Sequence, residues 1–222
     1  MNSKIVLILA LVSLSGTAMA ATNSPEQTKV TESSIDKTRL QLSLPGTNWG
    51  EGNVSGARVA LFYGRTDKVT GFNYTVLGVS DVKEFKGFQL GFLDVNRNRV
   101  DMQGAQFGLA NWNDNTATGG SFGLLNYTGE QFTGAQFGLV NWNDNNASSA
   151  SLGLVNYTGG KQKGVQLGLA NYAEELTGLQ LGLFNATSRI DEGVQIGLIN
   201  VETSGTVVSK NIPVLPIVNA RF

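Results

Sequence analysis

Neither cysteine nor histidine occurs anywhere in the sequence. Without cysteine there are no disulfide staples and no thiol chemistry. Without histidine the commonest general base is gone, and the two absences together remove His/Cys metal sites. Proline is scarce, at 4 residues, and lysine and arginine form no cluster that would suit nucleic acid. Beyond an N-terminal run of ten, no apolar stretch approaches the roughly 18 to 20 residues of a transmembrane helix. These absences exclude most common catalytic kits, so the chain is read as a non-enzyme that carries no cofactor and no metal.

The first residues have the layout of an export signal spanning 1–20: Lys4, the apolar run "IVLILALVSL", and the small-residue site "AMA" at 18 to 20. Removing it leaves 15 basic against 17 acidic side chains, a net charge near −2. Residues 21–37 are polar and aperiodic and are read as a flexible lead-in. Residues 38–222 are expected to form a single domain.

What is abundant is glycine, 28 residues, and repetition. "QGAQFGLANWN" recurs as "TGAQFGLVNWN" and, more loosely, as "KGVQLGLANYA". Aligning the units gives a polar column of Arg58, Asn73, Gln89, Gln106, Ser121, Gln136, Ser151, Gln166, Gln180 and Gln195. It is followed at +1 and +3 by apolar residues, such as Phe137 and Leu139, with glycine between them in most units. Large apolar residues alternating with polar residues or glycine have period two, so the units are β-strands.

Alternate connections read "NWNDN" and "NYTGE", which suggests hairpin turns at Asp114-Asn115, Gly129-Glu130, Asp144-Asn145 and Gly159-Gly160. With those turns Phe122 faces Phe137, Phe137 faces Leu152, Leu152 faces Leu167 and Leu154 faces Val165, so the apolar faces coincide. About twelve such strands leave two edges if open, and closure removes them. The fold class expected is therefore all-β, a closed antiparallel meander barrel of about 12 strands, apolar outside, with the polar column lining a lumen. The alternative is a two-sheet β-solenoid whose Asn111, Asn126, Asn141, Asn156, Asn171, Asn185 and Asn200 stack into ladders.

The "G-x-Q-x-G-L-x-N" units, over about residues 56 to 222 and ending in "PIVNARF", resemble a group of exported surface-repeat proteins of Gram-negative bacteria. That resemblance implies a surface protein and supplies no activity or ligand. A C-terminal strand ending in Phe222 likewise resembles the assembly signal of outer-membrane barrels.

The function expected is an outer-membrane surface protein in a Gram-negative bacterium, structural or porin-like with a narrow pore for a small neutral solute. Its partners would be outer-membrane lipid and, through Phe222, the barrel-assembly machinery. The alternative is a secreted or periplasmic solenoid acting as an adhesin or glycan-binding module. Trp112, Tyr127, Trp142, Tyr157 and Tyr172 suit sugar stacking, a lipid interface or plain packing. Asp114 and Asp144 lack the company of carboxylates that a calcium loop supplies.

Overall fold

The computed structural model describes residues 37–222; the expected export signal and the lead-in up to residue 36 lie outside the described residues. In chain order the strands are β1 (Lys37–Leu44), β2 (Thr47–Trp49), β3 (Asn53–Phe107), β4 (Ala110–Asn113), β5 (Thr116–Phe122), β6 (Leu125–Thr128), β7 (Gln131–Phe137), β8 (Val140–Asn143), β9 (Asn146–Leu152), β10 (Val155–Leu167), β11 (Ala170–Leu181), β12 (Phe184–Glu202) and β13 (Val214–Arg221). The long segments β3 and β10 to β12 pass from one coil face to the other without a break in extended structure.

Pairing is parallel and runs from each residue to the one about fifteen later. Asn111 lies beside Asn126 in β4–β6, Asn126 beside Asn141 in β6–β8, and Ser121 beside Gln136 in β5–β7. Such a register arises only if the chain winds, and the result is a β-solenoid of about 11 turns. Each fifteen-residue coil contributes one strand to a face built on β4, β6 and β8 and one to a face built on β5, β7 and β9.

This overturns the closed antiparallel barrel. The proposed hairpin tips are corners: Asp114 N–H donates to the Asn98 carbonyl at 2.8 Å, Gly129 N–H to Asn113 at 2.9 Å and Asp144 N–H to Thr128 at 2.9 Å, each one coil back. The apolar pairs named from sequence are neighbours, Phe122 with Phe137, Phe137 with Leu152 and Leu152 with Leu167, but in parallel register. Leu154 separates the two topologies: its carbonyl accepts from Leu169 N–H at 2.9 Å, one coil on, whereas a hairpin would have set it opposite Val165. The porin-like pore loses the barrel it presupposed.

Four side-chain columns fill the interior. One is apolar except at Gln162: Met102, Ala117, Phe132 and Ala147 in successive coils, then Gln162, Leu176 and Ile190. The other three are polar, and one of them is the asparagine column expected of the solenoid alternative. The fold therefore carries amides inside and leaves most leucines and phenylalanines outside, Phe85, Phe132 and Leu176 excepted.

Where coils touch, one column is glycine at most levels, with Ser149 between Gly134 and Gly164. Gly104, Gly119 and Gly134 have φ of +128°, +123° and +135°, and a Cβ on any of them would come within 1.9 Å of the glycine carbonyl oxygen one coil earlier. The ends are finished differently. At the first coil β1 runs parallel to the start of β3 and turns back as β2. At the last, β13 lies antiparallel on β12, with Arg221 paired at 2.8 Å to Glu202, which is fully buried.

Adjacent glycines give a clean test of this packing. Gly119→Ala should lower stability by more than about 2 kcal/mol, since strain at a left-handed φ adds to a backbone clash. Gly120→Ala should cost less, about 1 kcal/mol, because its column already carries Ala135 and Ala150 and its Cβ would meet only the Phe122 ring edge, at 2.7 Å, which can rotate aside. Urea unfolding of both variants gives the comparison, and equal losses would contradict the coil-to-coil contact.

Candidate functional site

The ten residues of the predicted polar column all lie inside the coils. Arg58, Asn73, Gln89, Gln106, Ser121, Gln136, Gln166, Gln180 and Gln195 are fully buried and Ser151 is 1% exposed. Many bond to one another: Gln106 donates to Ser121 at 2.7 Å, Ser151 to Gln136 at 3.2 Å, Gln180 to Gln166 at 2.8 Å and Gln195 to Gln180 at 2.8 Å. Arg58 ends the column with bonds to Gln41, Ser43, Asn73 and Ser80 at 2.9–3.1 Å, and burial pulls its guanidinium down to about 10. These side chains form a polar core with no face toward a ligand.

The second column is a ladder from Asn96 to Asn200. Each Nδ2 donates to the Oδ1 of the asparagine one coil on, at 3.0 Å from Asn96 to Asn111 and 2.8 Å at the six later steps. The second amide proton goes to a backbone carbonyl ten or eleven residues on, Phe137 for Asn126 and Leu152 for Asn141. Corner glycines make room for it: a Cβ on Gly138 would meet the Asn126 Nδ2 at 2.8 Å. Every rung from Asn111 to Asn185 thus uses both donors and an acceptor, as buried amides require.

The first rung, Asn96, lies one coil before the seven asparagines expected from the sequence. Two extra residues in that repeat make Asn96 the rung, and Asp94 sits at the corner instead. There its carboxyl oxygens lie where a Cβ on Gly91 would be, 2% exposed and without hydrogen-bond partners. Burial pushes Asp94 up to about 7.

Outside, the apolar residues gather on one side of every coil. In the β7–β8 coil the outward residues Ala135, Phe137, Leu139, Val140 and Trp142 run from one strand, round a corner, onto the next strand. Stacked coils turn these into stripes. Phe72, Phe88, Phe107, Phe122 and Phe137 form a ring ladder with centroids 4.4–5.9 Å apart. Leu109, Leu124, Leu139, Leu154, Leu169, Leu183 and Leu198 line the corner, 40–65% exposed.

The aromatic column borders that apolar arc. Trp112 stacks on Tyr127 and Trp142 on Tyr157 with centroids 4.0 Å apart, and Tyr157 on Tyr172 at 5.1 Å. Their polar tips point away from the leucines. Trp112 and Trp142 donate to Asp114 and Asp144 at 2.7 Å, Tyr127 to Asp144 at 2.6 Å and Tyr172 to Glu174 at 2.7 Å. Burial first, then the Asp144 hydrogen bond and charge, push the Tyr127 phenol well above its usual range. Asp114 and Asp144 are therefore engaged with side chains of their own face. Farther round, Lys161, Glu175, Arg189 and Asp191 form an ion-pair network with contacts of 2.6–3.9 Å.

No group of three or more acidic side chains among the described residues is placed to hold a metal ion. The outer arc was legible in the sequence as the +1 and +3 apolar columns. Its continuity around the corner was not, because that depends on which strands share a coil.

Two outcomes test the core chemistry. Asn141→Ala should cost about 2–4 kcal/mol by orphaning the amides above and below it, measured by urea unfolding. Asp94 gives a pH dependence. In the folded chain it keeps its proton up to about 7, while an unfolded aspartate loses it near about 4. Between those values the folded state binds more protons, so this contribution is fully present at the acid end and is lost as pH rises toward 7. Asp94→Asn should raise Tm relative to the parent at pH 8 and leave it nearly equal at pH 4. No protein-family model, no curated protein and no solved structure matches the chain, so its coil geometry carries the functional reading.

Proposed function

We propose that this chain is an exported, non-catalytic surface-attachment module of the adhesin type, a β-solenoid that adheres through the apolar arc of its repeated outer face. One observation carries the reading: seven corner leucines in register stand 40–65% exposed while the amides are buried. Contiguous apolar surface beyond a few hundred Å² marks a contact with something else. Seven rungs at about 4.8 Å span roughly 29 Å, and with both flanks the arc exceeds that threshold. The solenoid supports this role because its asparagine ladder is satisfied internally from Asn111 to Asn185, leaving the outer face free to differ from it.

Glycan binding through the aromatic column is the weaker variant. A sugar ring packs on an aromatic face, and in this column neighbouring rings cover one another at 4.0–5.1 Å. A free ring face lies at the end of the stack, where Ala186 follows Tyr172.

The test is co-sedimentation of the purified chain with Gram-negative cell envelopes, comparing the parent with the triple variant Leu124→Ser, Leu139→Ser, Leu154→Ser. Each leucine is worth up to about 1.5–3 kcal/mol when buried, so attachment should weaken more than about tenfold. Circular dichroism should be unchanged, since the three side chains point outward. A control on the polar flank, Thr118→Ala with Thr133→Ala, should attach like the parent. Equal attachment by the leucine variant would sink the reading.

A further inference from the structure

The arc has a shape as well as a composition, and the shape selects its partner. It is convex: Phe137 lies on one strand, Leu139 at the corner and Val140 and Trp142 on the next strand, so the two flanks face different directions. A rigid protein laid against either flank would cover a strip about 10 Å wide and about 30 Å long, near 300 Å². A stable interface needs about 800 Å² per partner. A second copy docked flank to flank falls well short of that, and corner to corner it would cover less. A fluid apolar medium follows a ridge and buries both flanks at once.

Charge fits the same occupant. From Ala105 to Val201 the outward positions of the arc hold no charged side chain. The charges stand on the far side, where Lys161, Arg189, Glu175 and Asp191 neutralise one another in a network open to water. Between the two zones runs the aromatic column, its rings continuous with the aliphatic stripe and its N–H and O–H groups directed at Asp114, Asp144 and Glu174. Amphipathic rings at a boundary between hydrocarbon and water are what a membrane interface selects.

We propose that the partner is a phospholipid surface. The solenoid axis lies in the bilayer plane, the leucine column enters the acyl boundary, the Trp/Tyr column sits at headgroup level, and the ion-paired corner stays in water. This is the β counterpart of an interfacial amphipathic helix, whose apolar face is buried about 5–10 Å deep. Among the described residues no helix is long and apolar enough to cross a bilayer. The proposal rests on the reading of the arc as the attachment surface.

The experiment uses the mature chain and protein-free vesicles of phosphatidylcholine with phosphatidylglycerol. The parent should float with the vesicles at both low and high salt, since burial rather than charge drives it, and the triple leucine variant should float at least about tenfold less. Depth is read with brominated lipids in a Trp49→Phe, Trp112→Phe background. Trp142 should be quenched more by a label near the headgroup, and Leu139→Trp, with Trp142→Phe added, more by a label deep in the chain.

Failure to float, or inverted quenching depths, would overturn the lipid assignment. If the leucine variant loses envelope attachment while the parent ignores pure lipid, the attachment reading stands and the partner is a macromolecule of the envelope. If the parent ignores pure lipid and sediments as a dimer that the leucine variant abolishes, the arc is a self-interface and the lipid proposal fails.

Discussion

The asparagine ladder is the constraint on which the remaining architecture depends. A buried amide has two donors and an acceptor, and leaving them unmade costs more than making them gains. From Asn111 to Asn185 each amide finds its partners in the asparagines of the coils on either side and in a backbone carbonyl ten or eleven residues on. Registry is therefore enforced rung by rung, since a slip of one residue would turn the amides outward. The near-constant fifteen-residue period follows, as does the glycine at each corner, whose missing Cβ is the space through which an amide reaches the carbonyl.

Filling the interior with amides dictates the outside. A fifteen-residue coil has room for about four inward side chains, and three of the four columns are polar. Alternation then places the large apolar residues outward, where Phe and Leu stack on their own copies one coil away. Polarity inverted in this way is poorly suited to free solution. The molecule concentrates the exposed apolar surface on one side of the coil and collects its ion pairs on the other, which turns a solvation liability into a directional surface.

Strands, repeat unit and asparagine column were all readable in the sequence, because they rest on period-two alternation and on identity at a fixed spacing. Topology was not. A two-residue hairpin in a fifteen-residue repeat brings Phe122 beside Phe137 and Phe137 beside Leu152, and so does a parallel coil with the same period. The two differ at Leu154, whose partner is Val165 in one and Leu169 in the other, and all three are apolar. Turn-like dipeptides such as Asp144-Asn145 favoured hairpins, yet a solenoid corner makes the same demand for a short, polar, tightly bent segment. Closure into a barrel follows from those hairpins and from the need to remove two sheet edges, and winding removes that need. Gln136 exchanges hydrogen bonds with Asn143, and Asn141 accepts from Asn126 and donates to Asn156, so the inward amides satisfy one another.

The two ends show what the ladder costs when it stops. Asn96 has an Oδ1 with no donor, and the two-residue insertion before it brings in Asp94 at that corner, both oxygens unpaired. A carboxyl held neutral is the form that a dry corner tolerates, consistent with burial pushing Asp94 up to about 7. At the other end Gln195 accepts from Asn219 of β13 at 3.2 Å, and Asn219 also donates to the buried Glu202 at 3.0 Å. An antiparallel strand can offer an inward amide at this level without starting another coil, so β13 both satisfies the last glutamine and ends the propagation. The parallel edge of the stack is thereby replaced by a strand of opposite direction, which does not template a further coil of the same sequence.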